Sequence, residues 1–191
     1  MTTQRLEAFS DGVLAIIITI MVLEVKVPHG HDLSALRPQI PVFLAYLLSF
    51  VYVGIYWNNH HHLFHASESL DGAVMWANLG LLFFLSLIPV VTAWVGDNPS
   101  APWPAALYGI VLLLAAVAWA VLERTLLSRN PGSALARAVG KGWKEKVSLL
   151  VYLLGIGLAF IRPWASEVLY AASALLWVVP DRRIERSLAS G

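Results

Sequence analysis

Residues 5–24 read RLEAFSDGVLAIIITIMVLE, a predominantly apolar run near the start of the chain. A helix needs about 20 such residues to cross the hydrocarbon core of a bilayer. Asp11 lies at the head of the run and Glu24 at its tail, and no small-residue cleavage site follows, which argues against a cleaved signal peptide. We therefore predict a retained transmembrane helix over about residues 7–26.

The composition of the whole chain agrees with a membrane location. Of its 191 residues, 58% are hydrophobic and 13% are charged, and the mean hydropathy is +0.69. A water-soluble domain carries about 25% charged residues and could not hide this much apolar surface. The net charge of +1 gives no sign of a nucleic-acid partner, and the absence of cysteine excludes disulfides, thiolate metal sites and cysteine nucleophiles.

Five further apolar segments follow the first. They lie at about 40–64, 72–95, 103–127, 147–162 and 164–180. Pro163 disfavours a helical conformation at Arg162, so we predict a tight hairpin of two short helices, with one long kinked helix as the alternative. Arg162 and Glu167 are expected to pair across this turn. The sequence thus predicts an all-α polytopic protein, a single domain over residues 1–191 with six transmembrane helices.

The distribution of lysine and arginine predicts the orientation of these helices. Ten of the basic residues fall on the side of the two termini, and three fall on the other side. The ten are Arg5, Arg124, Arg129, Arg137, Lys141, Lys144, Lys146, Arg182, Arg183 and Arg186. Because basic residues concentrate in cytoplasmic loops, both termini are predicted to be cytoplasmic in a multi-pass protein of the cell membrane.

One face of the first helix has the pattern of a pore wall. Ile16, Thr19, Ile20 and Leu23 are spaced at i, i+3, i+4 and i+7, which places them on one stripe. Around a symmetry axis, apolar rings gate by dewetting and a hydroxyl ring replaces part of an ion's hydration shell. Against lipid, the same stripe is an ordinary packing face, and periodicity alone leaves both interpretations open. Glu24 either rings the outer mouth of such a pore or faces the lipid headgroups.

The polar residues at the start of the first helix suggest local roles. Arg5 and Phe9 are four apart, so the guanidinium is expected to lie against the ring. Ser10 and Asp11 are expected in the first turns, where a hydroxyl and a carboxylate suit a helix N-terminus. A proton-carrying role for Asp11, in a small proton-coupled transporter, is the alternative.

Three motifs lie on the first three predicted helices. They are Arg5-x-x-x-Phe9-Ser10-Asp11, Trp57-x-x-His60-x-x-Leu63-Phe64, and Asn78-Leu79 with Pro89 eleven residues after Asn78. In order and spacing they resemble the signatures of the transmembrane protein 175 potassium channels. The resemblance covers about the first 95 residues, and beyond them only the hydropathy is similar.

The resemblance implies a single-repeat prokaryotic member that forms a homotetramer in the lipid bilayer and conducts potassium and other monovalent cations. Serine nucleophiles, phosphate loops and paired catalytic carboxylates at usable spacing are absent from the sequence, so we expect no enzymatic activity, no cofactor and no bound metal. The resemblance further implies that the first helices line the pore, with Ile16 as the constriction, Thr19 as a layer that contributes to potassium selectivity, and Leu23 as a further hydrophobic layer. These are positions that the helical stripe offers independently.

The resemblance also implies a structural and gating role for the signature residues. They would tie the first helix to Trp57 and His60 of the second helix and to Asn78 of the third.

The histidine cluster from His60 to His65 suggests a different function. Neutral imidazoles favour zinc or copper, so a membrane-embedded metal-dependent enzyme or metal transporter is the alternative to a channel. Adjacent histidines diverge on a helix, however, and no second ligand pair is evident in the sequence. We expect a titratable cluster at the end of the helix, in which replacement of His60 disrupts packing while His61 and His62 tolerate replacement.

Overall fold

The computed structural model describes residues 3–65, 67, 70–130 and 143–178, and within these ranges the regular structure is entirely helical. A short 3-10 helix covers Leu33–Gln39. The α-helices are α1 Thr3–Leu23, α2 Ile40–His65, α3 Gly72–Ser86, α4 Ile88–Asp97, α5 Pro102–Arg129, α6 Trp143–Ala159 and α7 Pro163–Val178. The predicted all-α fold is confirmed.

The third predicted helix is divided into α3 and α4 at Leu87. Pro89 has no backbone N–H, so the regular hydrogen bond to the carbonyl one turn earlier is lost at this point. Two residues earlier, the Leu87 N–H donates to the Phe84 carbonyl at 3.2 Å, a bond three residues back that tightens the end of α3. The two helices are therefore consecutive parts of one apolar segment with a proline-induced distortion.

Among the described residues, four segments are long and apolar enough to cross a membrane. They are Thr3–Leu23, Leu33–His65, Gly72–Asp97 and Pro102–Arg129. The last two helices are shorter, with 17 residues in α6 and 16 in α7. The chain turns between them at residues 160–162, so the predicted hairpin is confirmed and the single kinked helix is wrong.

The predicted pair of Arg162 and Glu167 at this hairpin is wrong. Arg162 is exposed in the turn. Glu167 lies in α7, with Oε1 buried and without a hydrogen-bond partner in the part of the chain that is described. The turn directs the two side chains into different surroundings, which spacing in the sequence does not reveal.

Part of the predicted orientation falls on residues outside the described ranges. These are Arg137, Lys141 and the chain from residue 179 onward, which includes the end of the last predicted span. The cytoplasmic placement of the termini and the single domain over residues 1–191 therefore stay predictions.

Helix α1 packs through one face against α2, α3 and α4. The buried residues recur every three or four positions, as a helical stripe requires. They are Leu6, Ser10, Leu14, Ile17 and Met21.

Tyr170 of α7 fills the junction of α5, α6 and α7. A Cβ atom at Gly109 of α5 or at Gly155 of α6 would collide with the Tyr170 side chain. The Tyr170 hydroxyl donates to the Ala105 carbonyl at 3.3 Å, and its own carbonyl accepts from the Tyr52 hydroxyl at 2.6 Å. The two glycines therefore provide the space that this fully buried ring needs.

Buried hydroxyl groups join the helices elsewhere in the core. The Ser49 hydroxyl lies 2.7 Å from that of Thr92 and 2.8 Å from that of Tyr108, which connects α2 with α4 and α5. An unpaired hydroxyl in an apolar medium is costly, so mutual pairing is the stable arrangement.

Candidate pore-lining face and its hydrogen-bond network

The face of α1 opposite its packing stripe is not covered by any described helix. Ile16 is 58% exposed, Ile20 44% and Leu23 78%, and Thr19 is also exposed. These are the four residues of the stripe identified in the sequence. In a membrane-spanning chain, such a face meets either lipid or another copy of the protein.

Thr19 presents an oxygen rather than a donor to its surroundings. Its hydroxyl donates to the Ile16 carbonyl of the same helix at 2.9 Å. A threonine hydroxyl has one proton and two lone pairs, so the outward side of this oxygen is left as an acceptor. A ring of such oxygens suits a cation.

Glu24 follows the last residue of α1 and is exposed. Its N–H donates to the Met21 carbonyl at 3.3 Å, in the turn that ends the helix. The carboxylate therefore lies beyond the end of the uncovered stripe, next to Leu23.

Behind this face, a buried network ties α1 to α2 and α3. The Ser10 hydroxyl donates to the Leu6 carbonyl at 2.9 Å and accepts from Asn78 Nδ2 at 2.9 Å. The Asn78 Oδ1 atom lies 2.8 Å from His60 Nε2. Because an amide oxygen only accepts, His60 carries a proton on Nε2. All three side chains are at most 1% exposed.

Three other signature residues lie outside this network. Arg5, Phe9 and Trp57 are exposed, and Phe9 and Trp57 each expose 50% of their surface. The expected stacking of Arg5 on Phe9 is not found, and the cation–aromatic contact seen among the described residues is that of Lys144 with Trp177.

The expected capping role of Asp11 is wrong. Because α1 begins at Thr3, Ser10 and Asp11 lie in its third turn, where the backbone N–H groups are already bonded. The Asp11 Oδ1 atom is buried without a hydrogen-bond partner in the described ranges.

The sequence did not reveal the contact between Glu7 and His61. Glu7 Oε1 lies 2.5 Å from His61 Nδ1 and links the start of α1 to the end of α2. Nothing in the spacing of these residues signals the pair, because it depends on how the two helices cross.

The histidine cluster divides between the core and the surface. His60 points inward to Asn78, whereas His61 and His65 are exposed and stack on each other with ring centroids 5.9 Å apart. Within the described ranges, no three histidine or acidic side chains are grouped so that they could hold a metal ion.

Comparison with known proteins gives consistent matches. The family model described as "Endosomal/lysosomal potassium channel TMEM175" matches residues 5–89. A protein from Chryseobacterium sp. (strain P1-3) named as a potassium channel is 51% identical over 98% of both chains. A mouse protein named "Endosomal/lysosomal proton channel TMEM175" is 38% identical over 53% of this chain and 21% of its own length.

A solved structure has the same fold. It is described as the crystal structure of a lysosomal potassium-selective channel TMEM175 homolog from Chamaesiphon minutus. The TM-score is 0.79 with 30% sequence identity, and the match covers 92% of this chain and 96% of the other.

The bacterial relative corrects the extent of the resemblance. The sequence motifs support it for about the first 95 residues, yet the identity of 51% extends over 98% of the chain and therefore includes α5, α6 and α7. Together with the shared fold, this extent of identity shows that the chain is a multi-pass membrane protein belonging to the endosomal/lysosomal potassium channel TMEM175 family.

Proposed function

We propose that the chain forms a homotetrameric, potassium-selective channel of the cell membrane in which four copies of α1 surround the pore. The observation that carries this proposal is the uncovered face of α1, where Ile16, Thr19 and Leu23 share one stripe. The relatives named as potassium channels support potassium as the permeant ion.

The order of side chains along the stripe gives each layer a role. Rings of Ile16, Ile20 and Leu23 form apolar constrictions that close by excluding water. The ring of Thr19 oxygens between them takes over part of the hydration shell of a potassium ion. Because one hydroxyl ring provides few ligands, preference for potassium over sodium is modest.

The surroundings of the stripe assist conduction. With both termini cytoplasmic, Glu24 rings the outer mouth and raises the local concentration of cations. The buried network of Ser10, Asn78 and His60 holds α1 at a fixed rotation, so that the stripe faces the axis. No step of this mechanism needs a cofactor, a resident metal or a catalytic group.

Two measurements on purified protein test the proposal. Native mass spectrometry in detergent is expected to give four chains per particle, and a monomer would contradict the shared pore. Proteoliposomes with a potassium gradient are expected to develop a potential that follows the Nernst value for potassium. Potassium uptake against its gradient, driven by protons, would favour the transporter with Asp11 as the proton carrier.

The same proteoliposomes distinguish potassium from protons as the permeant ion, since the mouse relative is named as a proton channel. A pH gradient without a potassium gradient is expected to produce a smaller potential than a potassium gradient alone.

A further inference from the structure

A cavity lies away from α1, at the end of the bundle where α2 ends and α6 begins. It is formed between α2, α5, α6 and α7, and its volume is about 40 Å³. Its wall includes Tyr56, Asn59, Trp119, Glu145, Ser148 and Trp177. No residue of α1 lines it, so it is separate from the proposed pore.

Glu145, in the first turn of α6, places a carboxylate in the wall of this cavity. One of its carboxylate oxygens, Oε2, is buried and has no hydrogen-bond partner among the described residues. Glu123 of α5, one turn beyond Trp119, is close enough to experience the charge of Glu145. A buried carboxylate without a partner is costly, so the site favours a positively charged occupant.

The walls around the carboxylate are aromatic. The rings of Tyr56 and Trp119 meet edge to face with centroids 6.0 Å apart. Aromatic faces attract cations, and the Trp177 ring already has the Lys144 ammonium 5.7 Å from its centroid. The Ser148 hydroxyl accepts from Trp177 Nε1 at 2.8 Å, which fixes the orientation of that indole.

These features distinguish between classes of ligand. Magnesium and calcium need about six or more oxygen ligands, and the described part of this wall does not provide a second carboxylate. An anion would be repelled by Glu145. An alkylammonium group fits, because its charge pairs with a carboxylate while its carbon atoms lie against aromatic rings.

We propose that this cavity binds a small alkylammonium group, with Glu145 as its counter-ion and Tyr56, Trp119 and Trp177 as the surrounding wall. The group belongs either to a free amine or to the ethanolamine headgroup of a lipid. Asn59 provides an amide oxygen to which its N–H groups can donate.

The test uses ethylammonium chloride and the full chain purified in detergent with sodium as the background cation. Saturation-transfer NMR titration is expected to show saturable binding, and ethanol, a neutral molecule of similar size, is expected not to bind. Glu145→Gln is expected to weaken the Kd at least about tenfold, because it removes the counter-ion. Glu167→Gln is the matched control, since Glu167 also has a buried oxygen without a hydrogen-bond partner among the described residues but does not line the cavity.

A second variant keeps the test decisive if Glu145→Gln does not fold. Ala116 lines the same cavity, and Ala116→Leu places three more carbon atoms in it, so binding should be lost. The proposal is overturned if wild-type protein shows no saturable binding or if neither cavity variant weakens it. The proposal is also overturned if Thr19→Ala removes binding, which would place the ligand in the pore. Displacement of ethylammonium by an equal concentration of potassium would overturn it as well.

Nanodiscs separate the two sources of the ammonium group. If the site holds a lipid headgroup, ethylammonium should bind more weakly in phosphatidylethanolamine than in phosphatidylglycerol. Equal binding in both assigns the cavity to a free amine.

Discussion

Asn78 Nδ2 donates to Ser10 Oγ at 2.9 Å, in a position where neither side chain is exposed to solvent. The bond joins α3 to the packing face of α1, on the side of that helix opposite Ile16 and Thr19. Because the Ser10 proton already bonds the Leu6 carbonyl, the serine oxygen is available as the acceptor for Asn78. The rotation of α1 is thus fixed from behind by a polar contact whose loss leaves a buried donor unpaired.

Replacement of Ser10 is expected to destabilise the fold. Ser10→Ala leaves Asn78 Nδ2 without its acceptor, which costs about 1–3 kcal/mol of unfolding free energy. Ser86→Ala is the control, because the Ser86 hydroxyl is exposed and bonds only the Phe83 carbonyl of its own helix. Reversible unfolding in mixed micelles measures both. In a double-mutant cycle with Asn78→Ala, losses of unfolding free energy that simply add would show that Ser10 and Asn78 are not coupled.

The adjacent residues His60 and His61 are expected to respond differently to truncation. His60→Ala removes the partner of Asn78 and a ring packed against Phe64, with centroids 4.4 Å apart and planes tilted by 33°, so a loss of about 2–4 kcal/mol is expected. His61→Ala removes the contact to Glu7, but its side chain is 53% exposed, and solvent screening limits the loss to about 1 kcal/mol or less. Equal losses in the two unfolding measurements would show that the buried network does not fix α1.

The helices and the α1 stripe were predictable because they depend on local periodicity. An apolar run long enough for a bilayer forms a helix wherever it packs, and Ile16, Thr19 and Leu23 share a face in any α-helix. The Arg162-Pro163 break was readable for the same reason, since a proline restricts its own neighbour.

Contacts between helices were harder to predict, because they depend on crossing angles. The sequence gives no sign of the Glu7–His61 contact, and the spacing of Arg162 and Glu167 predicts a pair that does not form. The apolar run predicts the start of α1 about one turn too late, and this error puts Asp11 in the capping region. The cavity at Glu145 arises from four helices and leaves no signature in any one of them.

Replacement of the glycines around Tyr170 by alanine is expected to destabilise the fold. Gly109→Ala and Gly155→Ala each force a Cβ atom into the Tyr170 side chain and should cost about 1–3 kcal/mol. Gly157→Ala is the matched control on α6, since its Cβ would meet open space, and it should be neutral. Thermal unfolding measures all three.

Removal of the Tyr170 hydroxyl should affect Gly109→Ala and Gly155→Ala differently. The Cβ of Gly109→Ala collides first with that oxygen, whereas the Cβ of Gly155→Ala collides with the ring. Tyr170→Phe should therefore rescue Gly109→Ala more than Gly155→Ala, and equal rescue would contradict the packing described for this junction.

Wetting of the proposed constriction is expected to raise basal conductance. Ile16→Asn puts an amide into the apolar ring and should increase potassium leak by about tenfold or more, because a polar ring does not dewet. Val22→Asn is the matched control: Val22 is 46% exposed on the same helix but turned about 120° away from Ile16. Potassium efflux from proteoliposomes measures both, and an equal leak would show that the Ile16 face has no special relation to the pore.

The selectivity expected of Thr19 depends on its oxygen rather than its size. Thr19→Ala removes the acceptor ring and should bring the ratio of potassium to sodium permeability close to one, while total conductance persists. Thr19→Ser keeps the hydroxyl, which can still donate to the Ile16 carbonyl, and should retain most of the preference. Thr19→Val keeps the branched shape without the oxygen, so its permeability ratio should be close to that of Thr19→Ala. Bi-ionic reversal potentials in planar bilayers give the ratio directly. If valine preserves the preference and serine loses it, ring diameter rather than the hydroxyl sets the selectivity, and the role proposed for the Thr19 oxygen is wrong.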